Sequence, residues 1–328
     1  MDKIPPSVEL RTVDEIHRRT RRSLLIAGAA AIMGGGLWRW LNDQSRIDGL
    51  SVPFRKVLDF NAAIARGLFR EGALAPEFER SKAVPSFRRN GDIGLSELKL
   101  QDWRLQLIGI GDAASYAQYS KDVTSWIYGM NLSNAESPDT DARVPAKKPV
   151  MHEDDAKGAA VRMKPMEMPE DAHRGIPGLL LTMAEVRKLP HVEMVTEFKC
   201  IEGWSEIVYW GGVRLRDFLA MYPPTIGSVN QFQPAEFATG LPEYIAFETP
   251  DGQYYVGIER QVALHSQTLL AYEMNGQPLT PDHGAPLRLV TALKYGIKQI
   301  KQIGRITYMN TRPRDYWHEQ GYDYYAGL

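Results

Sequence analysis

Residues 196–219, TEFKCIEGWSEIVYWGGVRLRDFL, hold the only cysteine of the 328-residue chain, Cys200. Just upstream, residues 194–199 alternate apolar and polar side chains, the period of a half-buried strand. Downstream, Gly203, Gly211 and Gly212 interrupt a segment rich in aromatics, Trp204, Tyr209 and Trp210, which reads as a turn. Leu215, Phe218, Leu219 and Tyr222 then recur at helical spacing. The stretch places a thiol at the end of a strand, against a glycine-loosened aromatic turn. A lone cysteine is more often a small buried hydrophobe than a ligand, so this segment alone assigns no chemistry.

Working outward, composition narrows the class. The chain is 44% hydrophobic, enough to bury a large core. Its 39 basic and 40 acidic residues leave a net charge of −1, so no nucleic-acid footprint is present. One cysteine excludes an internal disulfide, a Cys-x-x-Cys zinc or redox motif, and the Cys-x-x-Cys-His that attaches c-type haem.

The N-terminus carries Arg18, Arg19, Arg21 and Arg22 ahead of an apolar, Ala/Gly-rich run at residues 24–37. Thr20-Arg21-Arg22-Ser23-Leu24-Leu25 resembles a twin-arginine export signal. The run is short for a membrane span and suits a signal core. No clear cleavage site adjoins Trp38-Arg39-Trp40, so residues 24–41 are also a candidate inner-membrane anchor. The expectation is periplasmic delivery. Such export carries folded proteins, commonly with a cofactor already loaded.

Three regions are expected: a signal or anchor at 1–40, a helical segment at 41–85, and a single catalytic domain at 86–328. Val57, Phe60, Ile64 and Leu68 form one stripe of an amphipathic helix. No aromatic residue occurs between Tyr128 and Phe198, while prolines stand at 138, 145, 149, 165 and 169. Residues 134–175 therefore read as a surface insertion. Its Met151, Met163, Met166 and Met168 could hold a soft metal, but flexible loop contacts are the ordinary role of such residues. Thr182-Met183-Ala184-Glu185 is a capping box. Strands are expected at 103–108, 244–249, 253–258, 268–274, 287–293 and 303–309, with hairpin signals at Pro250-Asp251-Gly252 and Asn275-Gly276. The aromatic end, Tyr316 to Tyr325, should pack on the body. Many short strands with few helices predict an α+β, mixed and β-heavy fold.

A second dense stretch runs His283-Gly284-Ala285-Pro286-Leu287-Arg288 and continues to Lys294, Lys298 and Lys301. Arginine forks, lysine point charges and glycine-exposed backbone amides suit a buried phosphate. Lysines alternating along a strand are also commonly a solvated face, and a histidine in such a place is commonly structural.

Taken together, these motifs resemble the sulfite oxidase superfamily of molybdopterin oxidoreductases. The likeness rests on Phe198-Lys199-Cys200-Ile201-Glu202-Gly203-Trp204, on Leu270-Ala271-Tyr272-Glu273-Met274-Asn275-Gly276-Gln277-Pro278-Leu279, on the His283–Arg288 stretch, and on Lys294-Tyr295-Gly296 through Lys301. It covers residues 86–328 outside the 134–175 insertion. The resemblance implies a sulfite-oxidase-type fold and a molybdenum-molybdopterin cofactor, with Cys200 as the metal's protein thiolate. It implies pterin contacts from Asn90, Thr249, His283, Arg288 and Lys301. Arg89 would hold a substrate oxygen, and Tyr254 or Tyr255 would be the active-site tyrosine.

The chain also departs from that family. Gly91 follows the Arg89-Asn90 pair where sulfite oxidases have His, and His283 stands where the bacterial sulfoxide-reductase branch has Asn. The Asn/Tyr-rich N-terminal motif of that branch is missing. The C-terminal immunoglobulin-like domain and the haem domain of sulfite oxidases are not expected. The expected function is two-electron oxygen-atom transfer on a small oxo substrate, with S- or N-oxide reduction favoured. The alternatives are sulfite oxidation, or a non-catalytic binding protein that kept the fold. Electrons must come from an external carrier, a membrane b-type haem subunit or a periplasmic cytochrome, serving a monomeric catalytic subunit.

Overall fold

A computed structural model describes residues 35–41, 43–70, 72–128, 130–131, 175–224 and 242–327. The export motif, most of the 134–175 insertion and its methionines lie outside the described residues. Two sheets carry the body. The first contains β1 (Leu105–Ile108), β2 (Tyr119–Ser120), β3 (Gly178–Leu181), β6 (Tyr244–Glu248), β7 (Tyr255–Glu259) and β11 (Arg305–Met309), in the order β7-β6-β11-β1-β3-β2. Only β11 and β1 run parallel; the other neighbours are antiparallel. The second contains β4 (His191–Lys199), β5 (Ser205–Arg214), β8 (Thr268–Met274), β9 (Gln277–Pro278) and β10 (Arg288–Thr291), in the order β9-β8-β5-β4, with β10 also paired to β8. This is a mixed, β-heavy α+β architecture, as expected.

Apolar alternation fixes which faces meet. Trp103, Leu105, Leu107, Phe247, Ile306 and Phe218 belong to one large buried cluster. Phe198, Val208, Trp210 and Val290 form a second, smaller one with Phe87, and Cys200 packs against its edge. The capping box forms as read, with the Thr182 side chain and Glu185 exchanging backbone hydrogen bonds. The C-terminal aromatics pack inward, Tyr316 and Trp317 on the large cluster and Tyr324 fully buried.

One expectation needs correction. Gly211 and Gly212 do not mark a turn, because residues 205–214 form one continuous strand. A Cβ on Gly212 would stand 2.2 Å from the Leu270 carbonyl oxygen, and one on Gly211 2.7 Å from Glu273 Oε2. The register between β5 and β8 slips between Ala271 and Glu273. The glycines permit close backbone approach at that irregularity.

The expected amphipathic helix forms as α1 (Val52–Leu68), and its orientation is unusual. A stripe such as Val57, Phe60, Ile64 and Leu68 ordinarily faces the core. Here those four side chains are exposed, and the helix is seated by Arg55 and Ala62. The buried Arg55 guanidinium donates to the carbonyls of Asp48 (2.5 Å), His318 (2.9 Å) and Tyr322 (3.0 Å). That cluster of charge-assisted bonds sets the rotation of the helix against its apolar stripe. Among the described residues no helix is long and apolar enough to cross a membrane.

Candidate active site

Strand β4 ends at Lys199, and residues 200–204 turn the chain back into β5. The Cys200 N–H donates to the Trp204 carbonyl (2.9 Å), and the Gly203 N–H to the Cys200 carbonyl (3.2 Å). Gly203 sits at φ +87°, a left-handed conformation that glycine adopts without strain. The turn lifts the half-buried Cys200 thiol out of the sheet. Cys200 Sγ donates to Glu202 Oε2 at 3.6 Å, and the same oxygen accepts from Trp204 Nε1 at 2.8 Å. Burial pushes the Cys200 thiol up, and the Glu202 charge adds to the effect. The protein by itself keeps this thiol protonated.

Cys200 opens onto a cavity of about 200 Å3 where five segments converge. Asn90, Gly91 and Asp92 come from the loop ahead of the body, and Glu202 from the hairpin turn. Tyr254 comes from just before β7, and Gln299 and Lys301 from the stretch after β10. Trp317 and Tyr322 close it from the C-terminal segment. Gly296 is required there, since a Cβ would stand 2.3 Å from Phe198 Cζ.

The basic cluster of the sequence divides in two. Lys294 pairs with Glu259 at 3.0 Å, and Lys298 with Asp315 at 2.5 Å, so both are structural. Arg288 and Lys301 are different. Arg288 is fully buried, donates only to the carbonyls of His283 (3.0 Å) and Gln299 (3.4 Å), and lies over the Trp210 ring at 4.7 Å. Lys301 Nζ donates to the carbonyls of Gly91 (2.6 Å) and Asp282 (3.0 Å). Among the described residues no carboxylate forms an ion pair with either. Burial alone pulls Arg288 down to about 9. Burial, then Arg288 and Arg89, pulls Lys301 down to about 7.

The other residues singled out from the sequence scatter around this centre. Asn90 lines the cavity, and its Oδ1 is buried without a partner. His283 packs its ring on Phe87 (5.5 Å), and its Nδ1 is likewise without a partner. Burial, Arg288 and Lys301 lower its pKa, so the ring is neutral. Tyr254 lines the cavity and donates to the Ile297 carbonyl at 2.5 Å. Tyr255 lies outside it, its hydroxyl donating to Glu319 (2.6 Å) and accepting from Arg314. Thr249 is spent on the hairpin turn, donating to Asp251 Oδ1 at 2.6 Å. Arg89 stands half-exposed beside the cavity, paired with Asp282 (3.5 Å) and Asp92 (3.8 Å). Sequence reading missed Asp92, Glu202, Gln299, Trp317 and Tyr322 as part of this site.

Residues 176–317 match the family model for the oxidoreductase molybdopterin binding domain. The match covers somewhat less than half of the chain. Cys200 and both buried cations, Arg288 and Lys301, lie within the matched stretch. The chain is 36% identical over 159 residues to the protein-methionine-sulfoxide reductase catalytic subunit MsrP of Campylobacter jejuni, covering 46% of this chain and 52% of that one. It is 28% identical over 215 residues to a putative protein-methionine-sulfoxide reductase subunit YedZ1 of Azospira oryzae, covering 64% and 74%. It is 33% identical over 144 residues to MsrP of Xanthomonas axonopodis, covering 44% of each. The chain thus spans about half the length of the first of these relatives. A likeness to the sulfane dehydrogenase SoxCD of Paracoccus pantotrophus is slight, with a TM-score of 0.38 and 15% identity over 66% of this chain and 40% of that one, and it carries no argument.

The residues present fit a molybdopterin. Asn90 Oδ1, His283 Nδ1, Arg288 Nε and Gln299 Oε1 are all buried without a hydrogen-bond partner. Each such atom costs about 1–3 kcal/mol unless a guest satisfies it, and a pterin presents matching donors and acceptors. Two buried cations without a carboxylate suit its phosphate. Among the described residues no cluster of three His, Cys, Asp or Glu could hold a metal. A metal that arrives on its own organic ligand needs only one protein thiolate, which Cys200 provides.

Lys301 gives a test without the cofactor. Its pKa in the folded protein, about 7, lies below its ordinary value of 10.5. The unfolded chain therefore binds more protons between those limits, and stability rises with pH across that window. Lys301→Met in cofactor-free protein should be more stable than wild type at pH 6. That advantage should shrink as pH rises from about 7 towards 10, by at most about 1.4 kcal/mol per unit. Denaturant unfolding at several pH values reads the difference, and a constant offset would contradict it.

Proposed function

We propose that this chain is the catalytic subunit of an exported molybdopterin-dependent oxidoreductase that removes an oxygen atom from a neutral S- or N-oxide. The carrying observation is the charge of the cavity. Its lining carboxylates are Asp92 and Glu202, and its lining cation is Lys301, already committed to two carbonyls. Arg89, the expected anion fork, is turned onto Asp92 and Asp282. A dianion such as sulfite would meet carboxylates there without a free fork among the described residues. Ile93, Ile201, Ile297, Tyr254, Trp317 and Tyr322 instead offer apolar and aromatic walls to an organic sulfoxide. The names of the methionine-sulfoxide reductase relatives support the same substrate class.

When bound, the molybdenum-pterin group supplies the two-electron, oxygen-accepting chemistry. The protein does the rest. Cys200 would ligate the metal; Arg288 and Lys301 would hold the phosphate; Asn90, His283 and Gln299 would orient the pterin. Tyr254 keeps its proton, because burial raises its pKa well above the ordinary value, and it donates that proton to the Ile297 carbonyl, which fixes its ring as a wall of the cavity. Overall, the sulfoxide with two electrons and two protons becomes a sulfide and water. An external carrier, a membrane b-type haem subunit or a periplasmic cytochrome, delivers the electrons. The same reading takes residues 86–328 as the catalytic domain, acting as a monomer after twin-arginine export.

Side-by-side kinetics test the substrate class. A neutral sulfoxide reduced by a low-potential dye should give a kcat/KM about tenfold or more above that for sulfite oxidation. A higher value for sulfite, lost in Arg89→Gln, would overturn the reading.

A further inference from the structure

Helix α1 is fastened to the body the wrong way round for a water-exposed element. Its inward contacts are Arg55 and Ala62. Its outward face is Val57, Phe60, Ile64 and Leu68, with Phe60 65% and Leu68 74% exposed. Steps of three, four and four residues put all four side chains on one line along about three turns of helix. A soluble domain gains nothing from such a stripe, and contiguous apolar surface of this kind marks an interaction site.

What lies beside the stripe says which partner it fits. Residues 35–41 are helical, and within them Trp38 and Trp40 are 62% and 57% exposed. The Trp38 ring meets Phe54 of α1 at 6.0 Å, so this segment and the helix are in contact. In the sequence the pair of tryptophans follows directly on the apolar run of residues 24–37. Tryptophan concentrates where hydrocarbon meets water. Lys56, exposed, flanks the apolar line on α1 and suits anionic headgroups, while Arg66 is turned towards the body and donates to the Tyr244 hydroxyl at 3.5 Å.

We propose that α1 lies flat on a phospholipid surface, with the Val57–Leu68 stripe among the acyl chains and the Trp38–Trp40 segment at the headgroup level. The inference is independent of the reading of the cavity. It makes the membrane contact a property of the folded body, held in place by Arg55, and not of the apolar run alone. The cavity would then be presented at a fixed height above the bilayer.

Nitroxide accessibility distinguishes the occupants directly. Full-length chain carrying Ile64→Cys, and separately Ala63→Cys as an exposed neighbour off the stripe, is spin-labelled and bound to phosphatidylethanolamine–phosphatidylglycerol vesicles. Labelled wild type supplies the Cys200 background. Position 64 should be open to oxygen and closed to a water-soluble nickel chelate, with nickel collisions about tenfold fewer than at position 63. Equal nickel access at both positions would show a stripe facing water and overturn the proposal. Low access to both quenchers at position 64 would show a protein cover, from this chain or a second copy, and would also overturn it. Both substitutions are at exposed sites, so failure to fold does not confuse the result.

Discussion

Arg288→Met is expected to yield a folded chain that retains almost no pterin. Arg288 is buried among the carbonyls of His283 and Gln299 and the Trp210 ring, with no carboxylate paired to it among the described residues. A desolvated cation of this kind is costly unless an anion arrives. The cofactor phosphate would be that anion, with Lys301 as its second contact. Removing one member of a buried pair costs about 3–5 kcal/mol, which is a loss of roughly two to four powers of ten in affinity. The cofactor-free variant should move the other way. Methionine fills similar volume without charge, so unfolding should become harder by about 1–4 kcal/mol. Released pterin, quantified by fluorescence, and denaturant unfolding of the cofactor-free forms read the two effects. Full pterin occupancy in the variant would place the phosphate elsewhere. Loss of pterin together with loss of the fold would mean that Arg288 is a structural residue.

That opposite pair of effects could not be read from the sequence, where Arg288, Lys294, Lys298 and Lys301 look alike. What separates them is which basic side chain meets an acid far along the chain. Glu259 and Asp315 take Lys294 and Lys298, while Arg288 and Lys301 are left to backbone carbonyls. Local patterns were legible because they depend on near neighbours. The strand before Cys200, the capping box at Thr182 and the hairpin turn at Pro250-Asp251-Gly252 all form where the residues placed them. What local patterns did not show came from long-range contacts. Gly211 and Gly212 serve the neighbouring strand β8, and the orientation of α1 is set by Arg55 reaching His318 and Tyr322. Glu202, two residues from Cys200, stood in full view, but nothing local shows that one carboxylate oxygen accepts from both the thiol and the Trp204 indole. The choice between Tyr254 and Tyr255 likewise needed the pleat. Adjacent residues point to opposite sides, and only Tyr254 faces the cavity.

Cys200→Ser is the second large effect, and it should separate chemistry from cofactor retention. In the cofactor-free protein the thiol is held protonated by burial and by Glu202. Ionisation must therefore come with coordination, and a thiol is far easier to ionise in that way than an alcohol. A serine hydroxyl is also a harder donor, poorly matched to a soft-ligand site. Turnover should fall by about a thousandfold or more, equivalent to about 4 kcal/mol of transition-state stabilisation. The pterin should stay, because Arg288, Lys301, Asn90, His283 and Gln299 are untouched and none contacts Cys200 through a hydrogen bond in the structure. The hairpin should also hold, since the Cys200 N–H to Trp204 and Gly203 N–H to Cys200 bonds are backbone bonds. Metal and pterin analysis of the purified variant, set beside its steady-state kinetics, decides the matter. Wild-type turnover in the serine variant would remove Cys200 from the metal. Loss of pterin in step with activity would mean that the thiolate, and not the buried cation pair, anchors the cofactor.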